Sequence, residues 1–156
     1  MRKTVDFLLF GAVFIAVCAV ALCIETNILL GLPLNSPGFY FFVFGASLFQ
    51  YNLHYYFKPD PGVVSERQRW SQRNRNSQKL LLIAGFLVMA VSVWWLQSRH
   101  LVILLMLALF ASLYSFPILP FKKKRLKEYG LVKISVLALE WTLVTVWFPA
   151  DQSGVD

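Results

Sequence analysis

Ser47, Gln50, Tyr51, His54 and Lys58 follow one another at i, i+3, i+4, i+7 and i+11. That spacing draws one stripe down a helix. The stripe sits in an apolar run, Tyr40 to Phe57, where each polar group is costly and needs a partner or a use. Asn52, Tyr55 and Tyr56 occupy the neighbouring surface. Amides, phenols, an imidazole and an ammonium can line a polar cavity open to water. They can equally tie helices together by hydrogen bonds. His54 taken alone fits a satisfied structural histidine better than a ligand. Glu140 stands near the middle of a second apolar run, Leu131 to Phe148. By rise per residue it lies ~14 Å from the start of that run, and Gln50 lies ~10 Å from the end of its own. Gln50 is therefore its depth-matched partner, and His54 is shallower. Arg67, Arg69, Arg73 and Arg75 have the charge to neutralise a diphosphate, or to contact anionic lipid headgroups.

Other chemistries are excluded. His54 and His100 fall on opposite sides of a bilayer core of about 30 Å, so they cannot share a haem or a metal within one chain. The sequence has no CxxCH, no HExxH, no clustered Cys/His set and no Gly-rich phosphate loop. Scattered acids leave no Ser-His-Asp arrangement. No metal site is expected from the residues themselves. Cys18 and Cys23 are about 140° apart on one helix and cannot bridge. Both are expected as small buried apolar residues.

The elements that must carry these groups follow from composition. In 156 residues, 58% are apolar and only 15% charged, with a mean hydropathy of +0.60. A soluble domain this short has too much surface for that composition. Five apolar runs are long enough to cross a bilayer at ~20 residues each: Val5–Leu30, Tyr40–Phe57, Leu80–Leu96, Leu101–Ile118 and Leu131–Phe148. The runs are continuous rather than alternating, so a β-barrel is excluded. The expected fold is a single all-α polytopic bundle of five spans.

Of 15 Lys and Arg residues, 14 fall before the first span or in and just after the loops that follow spans two and four; Arg99 is the exception. The positive-inside rule then places the N-terminus and both basic loops in the cytoplasm and the C-terminus outside. Topology explains the net charge of +7, so no nucleic-acid partner is needed. A cleaved signal peptide is the rival for the first run, with Arg2 and Lys3 ahead of it and Ala19-Val20-Ala21 as a cleavage site. The apolar run continues to Leu30, which favours a retained anchor. Pro59 to Gly62 reads as a turn. Ser65 with Gln68 reads as a capping box opening a helix that runs through Trp70 into span three. Ala12, Ala16, Ala19 and Cys23 line one face of span one, as Ala108 with Ser112 and Ala111 with Ser115 do in span four; small residues let helices approach closely.

Tyr114-Ser115-Phe116-Pro117, the basic stretch Lys122 to Arg125, Lys133, and then Ala138 and Trp141 form a recognisable series. It resembles the stretch of UbiA-type intramembrane prenyltransferases with Tyr-x-x-Pro, a basic cytoplasmic loop and the following helix. Tyr51-Asn52-Leu53-His54, ahead of an arginine-rich loop, falls where that family has its first Asn-Asp-x-x-Asp motif. The resemblance implies a larger nine-helix domain of which residues 1–156 match the N-terminal part. It implies transfer of a prenyl chain from a polyprenyl diphosphate to a lipophilic acceptor, in a bacterial inner membrane, with Mg²⁺ on aspartates. It makes Asn52, His54, Arg67, Arg73, Tyr114 and Lys122 the residues expected at the headgroup site, with Gln50 and Glu140 as intramembrane polar groups. Asn52 matches the motif, but Leu53 and Tyr56 stand at its aspartate positions, and the family's second acidic motif has no counterpart. The chain is then a piece of, or a shortened relative of, such an enzyme, not expected to turn over substrate alone. Its partners would be membrane lipids, the prenyl diphosphate and a missing half or further copies. Two other readings stay open: a non-catalytic membrane subunit or scaffold, and a small transporter with Glu140 as a proton-linked acid.

Overall fold

In the computed structural model, residues 2–56, 65–96 and 130–153 are described. All their regular structure is helical. The helices are α1 (Arg2–Phe10), α2 (Val13–Leu29), α3 (Pro37–Tyr56), α4 (Glu66–Arg73), α5 (Arg75–Ser92) and α6 (Gly130–Thr142). A short 3₁₀ turn, Val93–Trp95, extends α5, and a π-helical turn, Leu143–Trp147, joins α6 to α7 (Phe148–Gln152). Two helices are long and apolar enough to cross a membrane, Arg75–Trp95 and Ile134–Gln152, and a bent pair, Thr4–Phe10 with Val13–Leu29, is a third candidate. At 20 residues α3 is long enough to cross as well. Its polar stripe keeps it below the apolarity of the others. The expected fourth span, its Ala/Ser pairs, the Pro59 turn, Lys58 and His100 lie outside the described residues, as do Tyr114 and Lys122.

The first apolar run is not one straight helix. It breaks at Gly11-Ala12 by 58°, and Ala12 takes the left-handed conformation at φ 64, which costs a residue with a Cβ about 1–2 kcal/mol. Two neighbours hold the break. A Cβ on Gly11 would run into the Phe7 carbonyl oxygen and lie 2.8 Å from Leu81 Cδ1, so the position needs glycine. The Gly11 carbonyl accepts from Asn52 Nδ2 at 2.9 Å. Beyond the break the small-residue face is as expected: Ala12, Ala16, Ala19 and Cys23 are all buried. Cys18, expected to be buried, is only half-buried because it turns about 140° away from that face.

α3 is the central helix. Its buried edge is Phe39, Phe42, Val43, Gly45, Leu48 and Asn52, packed against α2 and α5. The contact with α5 is backbone on backbone: a Cβ on Gly45 would lie 2.6 Å from the Met89 nitrogen, and one on Gly85 2.7 Å from the Phe49 nitrogen. Toward one end, Phe148 stacks edge-on against Phe39 and Phe42, with centroids 5.0 and 6.1 Å away, over Ala19 and Cys23. Toward the other, Ala16, Leu48 and Leu81 pack under Phe7 and Trp70.

Pro149 accounts for the π-helical turn. It has no N–H to offer the Thr145 carbonyl four residues back, and the Phe148 N–H bonds Leu143 instead, which leaves the Val144 carbonyl. Both orphaned carbonyls are met from α2. Thr26 Oγ1 donates to Thr145 O at 2.7 Å and Cys23 Sγ to Val144 O at 3.5 Å. Nearby, Asn35 Nδ2 donates to Pro149 O at 3.0 Å and to the fully buried Asn27. Asn27 is structural: its Nδ2 donates to Pro33 O at 2.7 Å.

The capping box forms: Gln68 N–H donates to Ser65 Oγ at 3.3 Å and Ser65 N–H to Gln68 Oε1 at 3.4 Å. The helix it opens does not run on into span three. Asn74 leaves the helical region and its amide donates to the Trp70 carbonyl at 3.0 Å, a local bond that competes with helix continuation. A fresh helix starts at Arg75.

Candidate functional site

The described polar residues of α3 divide between two sides. Gln50 faces α6, where its amide Nε2 donates to Glu140 Oε1. The two groups matched by depth in the sequence are thus bonded to each other. A double-mutant cycle with Gln50→Leu and Glu140→Leu should give a coupling of about 0.6 kcal/mol, the average for interhelical bonds in lipid, and at most about 1.7 kcal/mol. Equilibrium unfolding in mixed micelles measures it; strictly additive losses would mean the bond is not formed.

Asn52 lies about 160° round the helix from Gln50 and is 1% exposed. Its Nδ2 donates to Gly11 O and, at 2.8 Å, to Leu48 O. Its backbone carbonyl accepts from Gln78 Nε2 at 3.2 Å, and Gln78 Oε1 accepts from Ser71 Oγ. A chain of hydrogen bonds thus ties the break between α1 and α2 to α3, α4 and α5. Both amide donors of Asn52 are in use, and only Oδ1 is left to meet a ligand.

Arg67 makes the second centre. It leaves α4 from the first turn and lies against two phenols one helical turn apart on α3, with its Cζ 4.1 Å from the Tyr55 ring centroid and 5.5 Å from that of Tyr51. Burial pulls the Arg67 pKa down and the two phenols raise it, but a guanidinium stays charged at any pH a protein meets. Its Nε and Nη2 are buried and have no hydrogen-bond partner. Those two N–H groups form one edge of the planar fork, the edge that takes a carboxylate or phosphate bidentately. A buried charge with an unfilled fork is costly unless something anionic completes it.

The other expected site residues are dispersed. His54 is half-buried with its ring edge-on to Tyr55, centroids 5.2 Å apart. Arg73 is exposed, about 120° round α4 from Arg67. Tyr114 and Lys122 cannot be placed against them, since they fall outside the described residues. The structure brings Arg67 to Tyr51 and Tyr55, pairs Gln50 with Glu140, and turns Asn52 to another face. The pairing of Arg67 with Tyr51 and Tyr55 was missed in the sequence. The signal was there: two tyrosines at i, i+4 near the end of one helix, and a basic residue in the first turn of the next.

Among the described residues, no three of His, Cys, Asp and Glu come together in a way that could hold a metal ion. With Leu53 and Tyr56 at the aspartate positions, these residues do not fit a Mg²⁺ site. No family model, no curated protein and no solved structure matches this chain.

Proposed function

We propose that the chain corresponds to the N-terminal part of a UbiA-like membrane prenyltransferase, which moves a prenyl chain from a polyprenyl diphosphate to a lipophilic acceptor. It has five spans, with its N-terminus and basic loops in the cytoplasm of a bacterium and Asp151 and Asp156 outside. The observation that carries this reading is the Arg67 fork: a charged, buried, bidentate donor set against phenol rings, just beyond the end of an apolar helix. That is where a lipid-borne phosphate meets protein. Arg67 orients the anion and its charge favours departure of the diphosphate. The aromatic rings exclude water around it. Lys and Arg of the loops add positive charge, and the prenyl tail lies between helices.

The test is binding of a non-hydrolysable prenyl thiolodiphosphate to the full-length chain in nanodiscs, with and without Mg²⁺. Arg67→Ala should weaken binding about 10- to 100-fold, the worth of hydrogen bonds to a charged group. Arg67→Lys should rescue little, since an ammonium has no fork. Arg69→Ala is the control, because Arg69 is exposed and pairs with Glu66 at 3.2 Å. Binding no tighter than that of a prenyl alcohol, or unchanged in Arg67→Ala, would overturn the reading.

A second reading has its own observation. Asn52 and the Gln50–Glu140 pair are bonded within the protein, as they would be in a non-catalytic subunit or scaffold. On that reading no prenyl diphosphate binds, and substitutions at Asn52 and His54 cost stability alone.

A further inference from the structure

α1 is too short to cross a membrane. Its nine residues span roughly 13 Å, less than half of a hydrocarbon core of ~30 Å. Its depth is set by what it packs on. Phe7 and Phe10 lie against Trp70 of α4, with ring centroids 6.2 and 6.3 Å apart. α4 reads Glu-Arg-Gln-Arg-Trp-Ser-Gln-Arg, and its Glu66, Arg69, Gln72 and Arg73 are exposed. Such a helix cannot sit among acyl tails. It belongs at headgroup level, with Trp70 as an interfacial aromatic, and α1 must share that level.

The face of α1 turned away from Trp70 is apolar too. Val5, Leu8 and Leu9 are spaced i, i+3, i+4 and are exposed, about 180° round from Phe7 and Phe10. That face runs on into the exposed Phe14 and Val17 of α2. The surroundings are basic: α1 opens with Arg2 and Lys3 in the sequence, and Arg69, Arg73, Arg75 and Lys79 are exposed on α4 and α5. Asp6 and Glu66 are the acids beside them, and Glu66 is paired with Arg69.

We infer that α1 is an interfacial helix lying between α4 and an anionic phospholipid leaflet, its Val5–Leu8–Leu9 face sunk into the headgroup–acyl boundary and its angle held by the Asn52–Gly11 bond. This stands apart from the prenyl-transfer reading. Amphipathic helices of this kind bind through buried apolar area together with attraction to anionic lipid, and they sit about 5–10 Å into the boundary.

The experiment reads depth. Nitroxides at Val5→Cys, Leu8→Cys and Leu9→Cys, and at Thr4→Cys and Asp6→Cys on the flanks, are placed in full-length chain carrying Cys18→Ala and Cys23→Ala. The vesicles are phosphatidylcholine with or without phosphatidylglycerol. Oxygen accessibility should peak at positions 5, 8 and 9 at shallow depth and fall at 4 and 6. Hydrogen exchange on the unsubstituted chain in nanodiscs of the same two compositions guards against a misfolded background. The α1 amides should exchange several-fold more slowly with the anionic lipid. Asn52→Ala should blur the depth difference between flank and face. Mid-bilayer depth at position 8, water exposure at all five positions, or exchange indifferent to lipid charge would each overturn the inference.

Discussion

Gly85→Ala should lower the stability of the bundle by about 1–3 kcal/mol, the usual cost of forcing an extra methyl group into a packed site. Gly85→Val should leave little folded protein. The clash is with main chain, which cannot rotate away. A Cβ at position 85 lies 2.7 Å from the Phe49 nitrogen and 3.1 Å from the Gly45 carbonyl oxygen, and a Cβ at position 45 meets Met89 N and, at 2.9 Å, the Gly85 carbonyl oxygen. Each glycine thus seats the other helix's backbone. Lipid offers no hydrophobic drive to press two helices together, so close backbone approach supplies much of what holds them. Thermal unfolding in detergent, followed by exposure of the buried Cys23 to a thiol reagent, measures the loss. Gly31→Ala is a useful contrast. No atom lies within 4 Å of a Cβ there, but φ is +66, so the cost comes from the backbone alone and should be about 1 kcal/mol. If Gly85→Ala melted with the parent chain, α3 and α5 would not cross at these glycines.

Features that repeat along one helix were legible in the sequence. The Ala12, Ala16, Ala19, Cys23 face is periodic, and burial follows it residue by residue. Ser65 and Gln68 also read correctly, because a capping box is complete within four residues. The Gly45–Gly85 crossing was not legible: each glycine is isolated in its own run, and the pairing exists only between elements. The break at Gly11-Ala12 was hidden for the same reason. No proline marks it, and the groups that hold it, Asn52 and Leu81, come from 41 and 70 residues further on. The π-helical turn was half visible, since Pro149 stands in the sequence, but the donors that make it tolerable are Cys23 and Thr26. At the candidate site, depth counting paired Gln50 with Glu140. The motif resemblance grouped Asn52 with the residues of the headgroup site, whereas its amide is spent on main-chain carbonyls. Arg67 was chosen for its charge alone; the phenols that seat it became visible only once α4 was folded back along α3.

Asn52→Leu separates the structural and ligand-binding readings of this position. Leucine keeps the volume and removes the amide. The Gly11 carbonyl then loses its donor at a helix break where no backbone N–H replaces it, and an unmet buried polar group costs about 1–3 kcal/mol. Leu48 loses little, since its carbonyl also has an intrahelical partner. Asn52→Asp should be at least as damaging, because a carboxylate cannot donate to either carbonyl and carries charge into a buried site. If Asn52 served the anion directly, Asn52→Asp would weaken binding of the thiolodiphosphate far more than Asn52→Leu, in proportion to charge. If it serves the break, both variants lose stability first, and the folded fraction of Asn52→Leu binds the analogue within about twofold of the parent chain. Unfolding curves and binding isotherms on the same preparations decide between the two. A stable Asn52→Leu that has lost the anion would return Asn52 to the headgroup site and leave the bend to Gly11 and Leu81 alone.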